Sequence, residues 1–135
     1  MRDLRDLSLA AINTATLGFQ APIEMAIDAI ARAGFGGIAP WRRAVEGRDV
    51  KAIARRIREA KLQVTGYCRS TYIPAASRAG FNANIEANRR AIDDAAVLGA
   101  QSFVMVVGGL PQGSKDIAAA RAQVAEAAAL LLAHG

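Results

Sequence analysis

At 135 residues the chain has room for one domain with a modest core. One cysteine, Cys68, excludes an internal disulfide and a Cys-rich metal site, and no apolar run approaches the roughly 20 residues of a membrane span. The net charge of +5 raises the question of nucleic acid. However, Arg32, Arg55, Arg56, Arg58, Arg89, Arg90 and Arg121 fall inside helical patterns beside Glu and Asp, which reads as solvated helix faces.

Met1 to Asp6 mixes both signs of charge and leads straight into a strand pattern, so it reads as neither a signal nor a transit peptide. A cytoplasmic location, with no membrane or nucleic-acid partner, is the expectation. Ser8 to Thr14 reads as a short buried strand. Pro22 then opens a helix at its first turn, with Ile23, Ile27 and Ile30 at helical spacing. Gly34 ends it, and Phe35 follows as the hydrophobic contact of the cap. Gly36 to Trp41 gives a second strand and its exit. Asp49 caps the next helix, whose buried stripe is Val50, Ile53, Ile57 and Ala60. Leu62 to Tyr67 is a third strand. A longer connection, Cys68 to Ala83, precedes a helix over Asn84 to Leu98 with Ile85, Ile92 and Ala96 inside, and Gly99 closes it. Ser102 to Val107 is a fourth strand. Gly108 to Gly113 loops to a last helix capped by Ser114 and running through Leu132.

Strands alternating with helices imply parallel strands and right-handed crossovers, a (βα)4 chain in one domain over residues 1–135. Half of an eight-stranded barrel and a small doubly wound sheet both fit this pattern. A doubly wound sheet should carry a ligand signature at its switch point. Asn13, Thr14 and Ala15 stand where a response-regulator-like domain would want acidic residues, and no Gly-x-Gly-x-x-Gly follows a strand.

The segments LSLAAINTATLGF, PIEMAIDAIARAGFGGIAPWRR, VKAIARRIREAKLQVTGYCR, NIEANRRAIDDAAVLGAQSFVMVVGG and AAARAQVAEAAALLLAHG together resemble, in order, the sugar phosphate isomerase/epimerases of the xylose isomerase-like barrel family. The resemblance covers nearly the whole chain. It implies the N-terminal half of a TIM (β/α)8 barrel, ending after the fourth βα unit and completed by dimerisation or by a missing C-terminal half. Lys61 departs from the Gly often found at that helix end. The family also implies a divalent metal such as Mn or Mg, bound by Glu, Asp and His, and acid/base carboxylates that move a proton or hydride beside a sugar carbonyl. Those ligands belong mainly to the second half of the barrel.

Barrel chemistry sits beyond the C-terminal ends of the strands. Those positions here are Asn13, Thr14 and Thr16; Trp41, Arg42, Arg43 and Glu46; Cys68, Arg69, Ser70 and Tyr72; then Gly108, Gly109 and Gln112. Glu46 is the one carboxylate close to a strand exit apart from Asp116; the others are spread along helices, so no metal site and no catalytic residue is expected within this chain. The histidines that the family's nuclease branch carries on early strands are absent, and His134 reads as a terminal cation on a helix dipole. Cys68 reads as a small hydrophobe, or as a thiol activated by Arg69. Guanidinium groups at Arg42, Arg43 and Arg69 suit a sugar hydroxyl, carboxylate or phosphate, with ion pairing to Glu46 as the structural alternative. Gly108-Gly109 and the following helix N-terminus suit a phosphate, or simply a tight bend. The expected substrate-binding residues are Asn13, Trp41, Arg42 and Arg69, with a small sugar or anion as ligand. The competing expectation is a truncated or engineered half-barrel that self-associates and has a purely structural role.

Overall fold

The structure, a computed structural model, describes residues 5–18 and 20–135. The elements in chain order are β1 (Ala11–Asn13), a 3-10 turn (Thr14–Leu17), α1 (Ile23–Arg32), β2 (Gly37–Ala39), α2 (Arg42–Val45) and α3 (Val50–Glu59). They continue with β3 (Gln63–Val64), β4 (Tyr67–Cys68), α4 (Arg78–Leu98), β5 (Phe103–Val104) and α5 (Ile117–Leu132). No described helix is long and apolar enough to cross a membrane. The chain forms two compact units: Met1–Cys68 with Asp94–Val104, and Arg69–Asp93 with Met105–Gly135.

Among the described residues the first unit holds every strand, and every strand pair is parallel. β2 is central, pairing with β1 (Ile12 opposite Ile38) and with β3 (Ile38 opposite Val64). The single third strand expected from the sequence is split into β3 and β4 at Thr65-Gly66. Hydrogen bonding nonetheless continues across the split, since the Thr65 N–H donates to the Ile38 carbonyl and the Cys68 N–H to the Pro40 carbonyl. β5 pairs with β4, Tyr67 opposite Phe103. The break suits Gly66, where an added Cβ would lie 3.0 Å from the Ser102 hydroxyl oxygen. Ile23, Ile27 and Ile30 of α1 are buried, as are Ile53, Ala54 and Ile57 of α3. On their exposed sides Arg56 grips Asp28 through two hydrogen bonds (2.6 and 3.2 Å), and Arg48 reaches Glu24 at 2.6 Å.

Three helices hand over to strands through one device. The Phe35, Leu62 and Ala100 N–H groups donate back to the carbonyls of Ile30, Ile57 and Ala95, as in a Schellman cap. The residue at the turn is left-handed each time: Gly34 (φ 84°), Lys61 (φ 58°) and Gly99 (φ 71°). Lys61 thus keeps the cap geometry without the residue that suits it.

In the second unit Ile73, Phe81, Ile85, Ala127 and Leu131 form one apolar cluster. α4 starts at Arg78, six residues before the Asn84 expected from the sequence, because Pro74 ends an extended segment and only polar and small residues follow. Ala96 is exposed, and Ala91, Ala95 and Leu98 form the buried stripe in its place. α5 is capped by Asp116, whose carboxylate accepts from the Ala119 N–H at 2.8 Å; Ser114 instead accepts from the Asp116 N–H at 3.2 Å.

Two stability changes follow from this packing. A methyl at Gly36 would lie 1.7 Å from the Ser8 carbonyl oxygen, against backbone that cannot step aside. Gly36→Ala is expected to cost about 3 kcal/mol or more, whereas Gly109→Ala, with nothing within 4 Å, leaves the urea midpoint nearly unchanged. Lys61→Gly removes a left-handed side chain and should raise stability by up to about 1 kcal/mol, measured as a higher midpoint at the same slope.

Candidate functional site

Parallel pairing sets the ends of β1, β2 and β4 side by side, and the turns that leave them are tied together. Asn13 lies opposite Ala39. Its side-chain oxygen accepts from the Ala15 N–H at 3.0 Å, and its carbonyl accepts from the Thr16 hydroxyl at 2.7 Å. Thr14 is buried, and its hydroxyl oxygen accepts from the Trp41 N–H at 2.8 Å. Trp41 also forms a parallel bridge with Cys68. Asn13, Trp41 and Cys68 therefore belong to one hydrogen-bonded set of strand exits.

Arg42 begins α2, a helix the sequence reading did not anticipate. Its guanidinium reaches the Glu46 carboxylate one turn on, at 2.6 Å, with the Arg42 side chain 11% exposed and the Glu46 side chain 59%. Ion pairing with Glu46, weighed against anion binding for this arginine, is realised here. Arg43 is exposed. With Arg48, Thr14, Gly18, Gln20 and Pro22 it lines a cavity of about 290 Å3.

Arg69 belongs to the second unit, where its guanidinium lies 4.6 Å from the centre of the Tyr72 ring, a cation–π contact. Ser70 is buried; its hydroxyl donates to the Val106 carbonyl at 2.9 Å and accepts from the Val106 N–H at 2.8 Å. Gly108 lies against the same Tyr72, and an added Cβ would fall 2.6 Å from the tyrosine Cβ. Close packing accounts for this glycine. The N-terminus of α5, a candidate phosphate position, already holds the Asp116 carboxylate.

The sequence reading missed the amides that shape the connection after β4. Asn88, fully buried, donates to the Thr71 carbonyl (3.0 Å) and accepts from its N–H (2.7 Å). Gln123 does the same for Ala75 at 3.1 and 2.8 Å, and Asn84 donates to the Ile73 carbonyl at 3.2 Å. Each satisfies backbone of the extended segment that lies outside the assigned strands. The spacing of Asn84 and Asn88, one helical turn apart, was the available signal.

The donors present do not fit a divalent cation. Among the described residues no group of three or more His, Cys, Asp or Glu side chains is placed to hold a metal ion. Glu46 is engaged by a guanidinium, whereas a hard cation needs several oxygen ligands. His134 lies past the end of α5 and pairs with Asp93 at 2.9 Å. Cys68 is buried, in keeping with a small hydrophobe.

A parallel α/β arrangement with polar turns beyond the strand ends is the architecture of a βα-barrel segment. The sequence profile of the xylose isomerase-like TIM barrel family matches residues 27–135, and the chain belongs to that family. Among curated proteins none matches it. Among solved structures it is similar to protein SMc04130 from Sinorhizobium meliloti 1021, at 42% identity and a TM-score of 0.87, over 94% of this chain and 46% of that one. It is similar in fold to a D-psicose 3-epimerase solved in the presence of D-fructose: 15% identity, TM-score 0.73, 93% of this chain and 49% of the epimerase. An AP endonuclease of family 2 from Brucella melitensis gives 23% identity and a TM-score of 0.67, over 94% and 52%. The chain thus spans about half the length of these proteins.

Tyr67 offers a pH test of the sheet beside these exits. Its side chain is fully buried, and its hydroxyl has no hydrogen-bond partner among the described residues. Burial, with the Asp94 carboxylate adding to it, pushes the phenol above its ordinary range. The folded chain therefore keeps this proton to higher pH than the unfolded chain, whose tyrosine ionises near pH 10. Stability is then full below about pH 10 and falls above it, by up to about 1.4 kcal/mol per pH unit from this group. Tyr67→Phe should lose this alkaline slope and cost little at pH 7, as read from urea midpoints at pH 7 and above 10.

Proposed function

We propose that this chain is the first (βα)4 half of a metal-dependent sugar or sugar-phosphate isomerase/epimerase barrel, and that it contributes substrate-contacting turns. The observation that carries this reading is membership of the xylose isomerase-like family over residues 27–135, with Asn13, Trp41 and Arg42 at adjacent strand exits. Trp41 supplies an apolar wall for a sugar ring. Asn13 and Arg42 supply polar contacts, with Glu46 holding the Arg42 guanidinium in place. In the second unit, Arg69, stacked on Tyr72, offers by itself a charged fork for a hydroxyl or anionic group. The metal ligands and the acid/base carboxylates of the whole enzyme come from outside these residues, so the chain alone is catalytically silent. The proposed setting is the cytoplasm.

Trp41 is the single tryptophan, so its fluorescence reports the site directly. Titration with ketoses, aldoses and their phosphates should change its emission, with several-fold weaker binding in Arg42→Ala. Unchanged emission and no heat of binding at millimolar sugar would reject substrate contact by these turns. Assays with added Mn2+ or Mg2+ should show no isomerisation; turnover abolished by Glu46→Gln would place the metal chemistry in this half instead.

A further inference from the structure

Among the described residues three arginines are at least partly buried: Arg42, Arg69 and Arg89. Arg42 pairs with Glu46, and Arg89 with Glu86. Arg69 has neither an ion pair nor a hydrogen bond among the described residues; its interaction is with the Tyr72 ring, 4.6 Å from the ring centre. The carboxylates of its own unit are all engaged elsewhere. Glu86 holds Arg89, Asp93 holds His134, Glu126 holds Arg78, and Asp116 caps α5. A cation partly withdrawn from water gains more from an anion than a fully solvated one does. The Arg69 guanidinium is also fixed in position. Its backbone directly follows β4, and the next two residues are anchored, Ser70 on both backbone groups of Val106 and Thr71 on the Asn88 amide. Tyr72 is placed in turn by Gly108 (φ 87°), where an added Cβ would fall 2.6 Å from the tyrosine Cβ and Cγ. A guanidinium resting on a ring uses its flat face, and its N–H donors lie in its plane. Order established before binding lowers the entropic cost of binding.

We propose that Arg69, Tyr72 and Gly108 build an oxyanion site in the second unit, one that takes the phosphate or carboxylate group of a small molecule. Arg69 supplies the charge-assisted fork. Tyr72 and Gly108 are positioning residues, the ring holding the guanidinium and the glycine leaving space for the ring. The proposal deepens the sugar reading and rests on it only in placing the anionic group on the substrate, which makes that substrate a phosphorylated or acidic sugar. The site itself is tested without any sugar.

Inorganic phosphate and acetate, titrated separately at low salt into the 15N-labelled chain, should move the Arg69 Nε–H resonance saturably in the millimolar range, and added chloride should weaken both. A response to phosphate alone assigns a phosphorylated ligand and a response to acetate alone an acidic one; either supports the site. Variants are compared by the 31P line width of bound phosphate. Arg69→Lys keeps the charge but loses the fork, and should bind several-fold more weakly. Tyr72→Leu and Gly108→Ala should weaken binding by a similar factor with unchanged far-UV circular dichroism, whereas Tyr72→Phe, which keeps the ring, should bind as the wild type does. Arg121→Ala removes an exposed arginine of α5 and should change nothing. An Arg69 resonance unmoved by both anions would overturn the proposal. Equal weakening by Arg121→Ala would overturn it too, since the anion would then follow net charge, and wild-type binding by Tyr72→Leu would remove the positioning role. Neutral ketoses that shift Trp41 emission while Arg69 stays silent would reject the anion site and spare the sugar reading; anion binding with Trp41 silent to every sugar would do the reverse.

Discussion

Everything at the strand exits depends on the hydrogen-bonded ladder of β2. It pairs with β1 on one side and β3 on the other, and its continuation through Pro40 and Trp41 receives the Cys68 N–H and delivers an N–H to Thr14. The polar turns after β1, β2 and β4 are thereby set at one level. β2 can hold this place because its neighbours come very close. Gly36 lies under the Ser8 carbonyl, and Gly37 between Ala11 and Thr65, where a methyl would meet atoms at 2.9 and 3.0 Å. Two consecutive glycines are thus a packing requirement before they are anything else.

The second unit solves a different problem. After β4 the chain runs extended without a full strand partner, and buried backbone must still be satisfied. Asn84, Asn88 and Gln123 do this from helix faces, and Ser70 does it for Val106. Side-chain amides can replace a ladder here because each carries a donor and an acceptor at the spacing of a peptide group. The same segment carries Arg69 on Tyr72, with Gly108 making room for the ring. The two units thus hold their polar turns by different means, a parallel sheet around Asn13, Trp41 and Arg42 and an amide-pinned segment around Arg69.

The charge balance divides along the same physical line. Arginines on the helix faces find acidic partners within the same unit: Arg56 with Asp28, Arg48 with Glu24, Arg78 with Glu126 and Arg89 with Glu86. Exposed pairs of this kind add little stability each, and they give these four arginines a role that involves no polyanion. The Arg42–Glu46 pair differs, because its guanidinium is almost entirely buried and a buried cation deprived of its carboxylate is costly.

The sequence by itself determined the order of the main strands and helices, their parallel sense, the glycine caps at Gly34 and Gly99 and the family, whereas the left-handed cap at Lys61 is a finding of the structure. These follow from local chemistry: apolar spacing, Asp49 as a cap, glycine after a helix. It also placed Asn13, Trp41, Arg42 and Arg69 at or just beyond strand ends, since that depends only on where strands stop. What the tertiary structure alone decided is what each side chain touches. That Arg42 takes Glu46 from the two readings open to it, that α2 exists, that strand three breaks at Gly66 and that three amides satisfy an extended segment are settled in the folded chain, in part by contacts between residues up to 48 positions apart. Short-range periodicity carries no information about them, because the partner that satisfies a buried polar group is chosen by packing and not by spacing.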